Sequence, residues 1–253
     1  MGKSTLVRQF AAHKGLKLFE INVERYPQLS SVVETLNPHK LLEEFEFICN
    51  QGPITAADSL LFIDEIQGLP KMIQCLRYFY EDMPELAIVS AGSLLEFTLA
   101  AHTFPMPVGR IEYFHMGPVT WEEFLAAKGE DFLLNRIRSY EIGQDMPLSA
   151  HERLIDLLKI YLLVGGMPEA VQLHLDGEPL DSVFDAQNSI IQTYRDDFSK
   201  YATGRDLVRL QRILDYLGQG IGKKVKYVNI DRDSQSRDIK AALDLIVKAG
   251  VGY

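Results

Sequence analysis

The chain has only two cysteines, Cys49 and Cys75, among 253 residues. Their spacing forms no C-x-x-C pair, and both lie in segments of regularly spaced apolar residues, where a free thiol behaves as a small hydrophobic side chain. The six histidines show no metal-ligand spacing either. The sequence therefore predicts structural cysteines and argues against a Cys/His metal site.

Long apolar runs are also missing. No stretch approaches the ~20 apolar residues that a membrane helix needs, and the N-terminus lacks the charged, apolar and small-residue order of a signal peptide. The composition, 47% hydrophobic and 24% charged without low-complexity runs, is typical of a folded globular protein. We therefore expect a cytoplasmic protein of two or three domains that makes no membrane contact.

An overall excess of positive charge is absent, because the formal net charge is −9. This charge argues against a protein that coats nucleic acid non-specifically. The charge is uneven, however. Residues 205–253 contain ten Lys and Arg against six Asp and Glu, a net charge of +4, so the preceding 204 residues carry −13. The basic segment is therefore a separate candidate for contact with DNA or with a protein.

The first half of the chain alternates predicted helices and strands. Short apolar blocks predict buried parallel strands, and apolar residues at helical spacing predict the helices between them. The predicted strands cover residues 18–23, 60–63 and 86–89, and the predicted helices cover 4–14, 38–48 and 72–80. This order predicts an α/β fold with an open, mostly parallel sheet and helices on both faces.

Prolines and glycines at 105–118 interrupt this alternation. The pattern after them predicts mainly helical structure to about residue 204. The last segment predicts a helix, a glycine-rich turn, a short strand at 225–230 and a long helix at 236–249, which favours a small winged-helix-like module. We expect an α/β domain over 1–125, a helical lid or linker over 126–204 and the winged-helix-like module over 205–253.

The sequence Gly2-Lys3-Ser4-Thr5 begins directly before the first predicted helix. It matches the end of the P-loop pattern G-x-x-x-x-G-K-[ST], in which backbone N–H groups surround phosphates, Lys contacts the terminal phosphates and Ser or Thr binds Mg²⁺. Lys3 is thus the candidate phosphate lysine and Ser4 a candidate magnesium ligand. As a bare string this motif is also compatible with an ordinary exposed helix start.

Asp64 and Glu65 follow a buried strand, at the sheet edge where parallel α/β folds bind ligands. Asp64 can hold the metal, and Glu65 can accept a proton from an attacking water. A strand capped by surface acids is the simpler alternative. Ser93, after the next strand, is a candidate for orienting water, and Arg110 is a candidate arginine finger on a neighbouring subunit of a homo-oligomer. The simpler interpretations are that Ser93 is a turn residue and that Arg110 forms a surface ion pair.

The whole set of motifs resembles prokaryotic AAA-type P-loop ATPases with a fused C-terminal domain of unknown function. The resemblance rests on the following pieces of the chain, in this order: 2–8, 61–67, 90–97, 106–111, 116–125, 165–171 and 236–243. It implies that Lys3 and Ser4 are Walker A residues, that Asp64 and Glu65 are Walker B residues, and that ATP and Mg²⁺ are the cofactors. It also implies a sensor-like Ser93 and a candidate finger at Arg110.

The family's first strand and the glycine loop before Gly2 have no counterpart here, nor does a domain beyond Tyr253. We therefore expect a fragment whose nucleotide affinity and ATP hydrolysis are impaired relative to the intact parent protein. An in-frame glycine loop in the genomic DNA upstream of Met1 would support this expectation. Two other functions stay open: a nucleotide-incompetent adaptor that binds DNA or protein through its basic C-terminal module, and a P-loop kinase. The Asp64-Glu65 pair favours an ATPase over a kinase, because an ATPase must activate water.

Overall fold

The computed structural model describes residues 2–92, 109–199, 202–232 and 234–248. The chain divides into two compact units. We call residues 2–114 with 212–253 the sheet unit and residues 115–211 the helical unit. All the predicted site residues fall within the range of the sheet unit.

The sheet has three parallel strands in the order β1-β2-β3. They are β1 (Lys17–Asn22), β2 (Ser59–Asp64) and β3 (Ala87–Ser90), which confirms the three predicted strands. Asn22 pairs with Asp64, and Ile63 pairs with Ser90. Because the strands are parallel, their carboxyl ends lie at one edge of the sheet, and Asp64 lies at that edge. The small parallel sheet with its many helices is compatible with a P-loop NTPase fold.

Helices cover both faces of this sheet. Leu61 and Ile63 of β2 pack with Phe45 in the main hydrophobic core. Glu20 of β1 points to the opposite face, where its carboxylate accepts two hydrogen bonds of 2.8 and 2.6 Å from Arg8. The helices of this part are α1 (Lys3–Lys14), α2 (Leu29–Val33), α3 (Pro38–Cys49) and α4 (Lys71–Asp82). Arg8 thus places α1 on one face, and Phe45 places α3 on the other.

The start of α3 follows from its sequence. The side chain of Asn37 accepts hydrogen bonds from the backbone N–H groups of His39 and Lys40, and Pro38 occupies the first helical position. Proline costs nothing there because the first N–H of a helix has no partner within the helix. The short helix α2, by contrast, has no counterpart among the predicted elements.

The helical unit contains five helices in the part of the chain that the structure describes. They are α5 (Trp121–Ala127), α6 (Asp131–Arg138), α7 (Leu148–Val164), α8 (Pro168–Leu175) and α9 (Leu180–Phe198). Phe124 of α5 is fully buried with Val164 of α7 and Val183 of α9. These five helices agree with the mainly helical structure predicted for this part of the chain.

The basic C-terminal segment forms α10 (Arg205–Gln219), α11 (Tyr227–Ile230) and α12 (Ser236–Lys248). The strand predicted at 225–230 is wrong, because Tyr227–Ile230 form one turn of helix. Its β-branched and aromatic residues favour a strand locally, but α11 packs against α12 and buries Ile230, so tertiary packing overrides this preference. The described residues here form two helices with one helical turn between them, without the strand of a winged helix. No described helix is long and apolar enough to cross a membrane.

Candidate nucleotide-binding site

The site begins at Gly2, immediately before α1. Gly2 has a φ of 71°, in the left-handed region that favours glycine, and its carbonyl accepts a hydrogen bond of 2.9 Å from the N–H of Leu6. Among the described residues, no side chain caps α1, and its first turn contains no acidic residue. The backbone N–H groups at the start of α1 can therefore serve an anion, as at other helix N-termini.

Ser4 and Asp64 join the start of α1 to the end of β2. The Ser4 hydroxyl donates a hydrogen bond of 2.9 Å to Oδ2 of Asp64. The other oxygen of Asp64, Oδ1, accepts the backbone N–H of Glu65 at 3.1 Å. Both side chains are partly buried. The two predicted magnesium ligands are therefore in direct contact.

Lys3 connects α1 to the chain that follows β3. Its ammonium donates a hydrogen bond of 2.9 Å to the carbonyl oxygen of Gly92. Because Gly92 follows the carboxyl end of β3, the charged end of Lys3 lies at the same sheet edge as Asp64. Three elements, α1, β2 and β3, thus converge on one place.

Glu65 has an unusual backbone conformation, with a φ of 54°. Such left-handed geometry is uncommon for a residue other than glycine, and it persists only where surrounding contacts hold it. The side-chain amide of Gln67 donates a hydrogen bond to Oε2 of Glu65. Sequence reasoning gave Gln67 no role, because nothing in the periodicity of the chain distinguishes it from a polar turn residue.

Gly92 lies directly against Gln67. A Cβ atom at position 92 would come within 2.4 Å of Oε1 of Gln67 and 3.4 Å of a methyl group of Ile66. A real Cβ does not approach another atom as closely as 2.4 Å, so any side chain at position 92 would displace the amide. The missing side chain of Gly92 therefore leaves room for Gln67, and the Gly92 carbonyl accepts the hydrogen bond from Lys3.

The donor set fits a magnesium ion that also binds phosphate. Mg²⁺ prefers oxygen ligands, keeps several waters, and in phosphate-transfer sites is held by one or two protein groups plus phosphate oxygens. Ser4 and Asp64 supply one hydroxyl and one carboxylate. Within the described residues, no group of three or more His, Cys, Asp or Glu side chains could hold a metal by itself. One hydroxyl and one carboxylate fit the protein's share of such a magnesium site.

Arg110 lies beside α4. Its Nε contacts Oε1 of Glu81 at 2.9 Å, and Arg77 contacts the same oxygen at 2.9 Å. The hydrogen bond from Arg77, and less strongly the charge of Arg110, lower the pKa of Glu81. Glu81 lies in the last turn of α4, a few residues before β3 begins. This ion pair therefore lies at the C-terminal end of α4.

The structure thus brings together Lys3, Ser4, Asp64 and Glu65, and it places Arg110 elsewhere in the sheet unit. Thr5 is exposed in the first turn of α1. The candidate Ser93 lies outside the described residues.

Comparison with known protein families gave two matches. Residues 1–125 match the sequence model of a family described as an AAA domain, and residues 155–253 match one described as a domain of unknown function. The first match supports an AAA-type P-loop domain and indicates a nucleotide-binding, ATPase-type function. Domains of this type use a nucleotide and usually Mg²⁺. Searches of curated proteins and of solved structures gave no match.

Proposed function

We propose that the residues around Lys3 and Asp64 form the site of an Mg²⁺-dependent ATPase. The observation that carries this proposal is the 2.9 Å hydrogen bond between Ser4 and Asp64, which brings a helix N-terminus and a strand-end carboxylate to one point. The nearby ammonium of Lys3 adds the positive charge that a triphosphate requires.

Each residue then has a distinct role. Lys3 exchanges its contact with Gly92 for the terminal phosphates, and the N–H groups at the start of α1 contact the other phosphate oxygens. Ser4 and Asp64 would hold Mg²⁺, which would neutralise phosphate charge when bound. Glu65 accepts a proton from the water whose oxygen bonds to the terminal phosphorus, while the bond from that phosphorus to the bridging oxygen breaks and ADP leaves.

The proposal is tested by replacing Glu65 with Gln. The 253-residue chain and a version with the G-x-x-x-x residues of the P-loop pattern added ahead of Gly2 are assayed in parallel. Release of phosphate gives the turnover, and a fluorescent ATP analogue gives the affinity. A lost general base should lower turnover by about 10²- to 10⁴-fold while ATP binding is kept.

Glu43→Gln is the matched control, since Glu43 is exposed on α3 and makes the same change of charge. It should leave both turnover and affinity unchanged. Equal hydrolysis by the wild-type and Glu65→Gln chains would reject Glu65 as the base. Absence of hydrolysis in both wild-type forms would reject the ATPase itself.

A second candidate function is binding of duplex DNA by residues 212–248, which run from the second half of α10 to the end of α12. Asp231, directly after α11, forms an ion pair of 3.0 Å with Arg212 of α10 and accepts a hydrogen bond of 2.7 Å from Ser234. One face of α12 is buried at Ile239 and Ile246. The opposite face of this helix is therefore available for contact with a partner.

That exposed face is basic near its start. Arg237 and Lys240 lie one turn apart on it, and the Arg237 side chain is 81% exposed. A helix of 13 residues is about 20 Å long and fits the major groove of B-DNA. Asp244 lies further along the same face and would repel DNA phosphates. We therefore propose that the first half of α12 contacts the DNA. Duplex RNA is a poorer candidate because side chains cannot reach into its narrow major groove.

Titration of a fluorescent 30-base-pair DNA at several salt concentrations tests this function without nucleotide. Each lost phosphate contact should reduce the slope of log affinity against log salt by about 0.9. The double substitution Arg237→Ala/Lys240→Ala should therefore weaken binding and lower the slope by about 1.8. Arg138→Ala/Lys159→Ala removes the same charge from the helical unit and serves as control. An equal loss of DNA affinity in both double variants, or no DNA binding by the wild-type chain at low salt, would contradict the proposed DNA binding.

A further inference from the structure

Gln67 contacts Glu65, the proposed base, although the Asp64-Glu65 motif does not include it. It lies in the short turn Ile66–Gly68, two residues after Glu65, and its side-chain amide donates to Oε2 of Glu65. An amide has a planar donor group, so this hydrogen bond restricts where the carboxylate can point.

The backbone around Glu65 is fixed independently. The N–H of Ile66 donates to the carbonyl of Ala91 at 3.0 Å, and the N–H of Ala91 donates to the carbonyl of Ile63 at 2.9 Å. The N–H of Glu65 itself donates to Asp64. These bonds tie the chain after β2 to the chain after β3 on both sides of Glu65. The remaining freedom lies in the Glu65 side chain, which Gln67 contacts.

The room for Gln67 depends on glycine at position 92. A Cβ there would collide with Oε1 of Gln67, and that amide is the flexible end of its side chain, so the amide would move. Gly92 has no positive φ that would itself require glycine. Glycine is therefore required at position 92 because the Gln67 amide occupies the space that a side chain would need.

We propose that Gln67 is a positioning residue for the Glu65 carboxylate and that Gly92 provides the space this requires. The inference rests on the ATPase proposed above. A carboxylate accepts hydrogen bonds with both oxygens. With Oε2 held by Gln67, Oε1 can accept the proton of the attacking water in a fixed direction. Orientation of a base in this way accelerates proton transfer without affecting nucleotide binding.

The test uses Gln67→Leu, which keeps the size of the side chain but removes the amide, and Gly92→Ala, which displaces the amide without removing it. Both are measured in whichever of the two forms of the chain hydrolyses ATP faster. We expect kcat to fall by about 10- to 100-fold in each variant, with KM and ATP affinity within about twofold of wild type. Thermal unfolding shows whether each variant is folded.

A double-mutant cycle separates positioning from a structural effect. In the Glu65→Gln background the base is already absent, so adding Gln67→Leu should change the residual single-turnover rate by less than about twofold. The control is Gln172→Leu on α8, where an exposed amide donates to Asp176 at 2.8 Å, and it should behave as wild type.

Three outcomes would contradict the role of Gln67. They are an unchanged kcat in Gln67→Leu, an equal loss of rate in the wild-type and Glu65→Gln backgrounds, and a loss that appears only in KM. In each case, hydrolysis of ATP by the wild-type chain would still support the proposed ATPase function. A wild-type chain without hydrolysis in either form would instead reject the ATPase, and this role with it.

Discussion

The hydroxyl of Ser4 donates a hydrogen bond of 2.9 Å to Asp64, a residue 60 positions further along the chain. This contact joins the N-terminus of α1 to the carboxyl end of β2. A hydroxyl and a carboxylate in such contact can together hold a divalent cation, and the N-terminus of α1 favours an anion beside it. We propose that this one contact places the metal beside the phosphates.

Asp64→Asn should weaken the binding of ATP in the presence of Mg²⁺ by at least about tenfold, since the amide replaces a charged ligand by a neutral one. In EDTA the same variant should bind ATP no more weakly than wild type, because without the metal the carboxylate only repels phosphate. Calorimetric titration under both conditions measures this. Asp82→Asn, an exposed position at the end of α4, is the control. A loss of affinity that is equal with and without Mg²⁺ would count against a metal role.

Lys3→Met should reduce affinity for ATP by about 10- to 100-fold, since a hydrogen bond to a charged group contributes about 1.5–3 kcal/mol. The contact it loses within the free protein, with the Gly92 carbonyl, is only partly buried, so little stability should be lost. Titration with a fluorescent ATP analogue measures the affinity. Lys40→Met, exposed on α3, should bind as wild type. Unchanged affinity in Lys3→Met would exclude Lys3 as the phosphate lysine.

We predict that Arg110, which pairs with Glu81 at the end of α4, acts as an arginine finger on the nucleotide of a neighbouring subunit. Arg110→Ala should then lower the rate of hydrolysis, whereas Arg77→Ala, which removes the other partner of Glu81, should not. Mixing the Arg110→Ala and Glu65→Gln chains should restore part of the activity, because each supplies what the other lacks. An unchanged rate in Arg110→Ala would leave the residue as an ordinary surface ion pair.

Thr120 caps α5, and its removal tests the stability of the helical unit. Its hydroxyl accepts the N–H of Glu123, and the carboxylate of Glu123 accepts the N–H of Thr120. Thr120→Ala should cost about 1 kcal/mol at pH 7. Thr193→Ala, which removes a hydroxyl that bonds within α9, should cost less. Thermal unfolding measures both variants, and an equal cost would argue against the cap.

This cap should also depend on pH. Hydrogen bonds from the backbone N–H and then from the hydroxyl of Thr120 lower the pKa of Glu123. A carboxyl whose pKa is lowered by folding stabilises the folded state above its ordinary pKa of about 4.3, and this contribution is lost as the pH falls through the lowered value. The difference between wild type and Thr120→Ala should therefore be constant from pH 6 to 8 and shrink below about pH 4.

Both cysteines should be unreactive in the folded protein. Burial raises the pKa of the Cys75 thiol to about 12, and burial together with the charge of Glu20 also raises the pKa of Cys49. Because the thiolate is the reactive form, a thiol reagent at pH 8 should label neither residue until the protein is unfolded in urea. Rapid labelling of Cys75 without denaturant would contradict this.

Much of the fold could be predicted from the sequence because buried parallel strands are continuous apolar blocks. The block around Phe62 is fully buried, as such a block requires. The helix predicted over residues 38–48 was found because Asn37-Pro38 is a local signal. The segment at 225–230 was predicted wrongly because its preference is local while the packing of α11 on α12 is not. Short α2 lacks enough turns to produce a periodic pattern.

The candidate site could be predicted only in part. Lys3, Ser4, Asp64 and Glu65 follow known motifs, and parallel strands bring such residues to one edge. Gln67 could not be found in this way, because its contact depends on the left-handed backbone of Glu65 and on the space at Gly92. These are features of three-dimensional packing that no spacing in the sequence reveals.

A crystal structure with Mg²⁺ and a non-hydrolysable ATP analogue would examine the proposed site most directly. We expect the Ser4 hydroxyl to coordinate the ion at about 2.1 Å. The Lys3 ammonium should have left the Gly92 carbonyl to lie within about 3 Å of a terminal phosphate oxygen. A nucleotide bound away from α1, or one bound while Lys3 still contacts Gly92 and Ser4 still contacts Asp64 without an ion, would show that these residues do not form the ATP site.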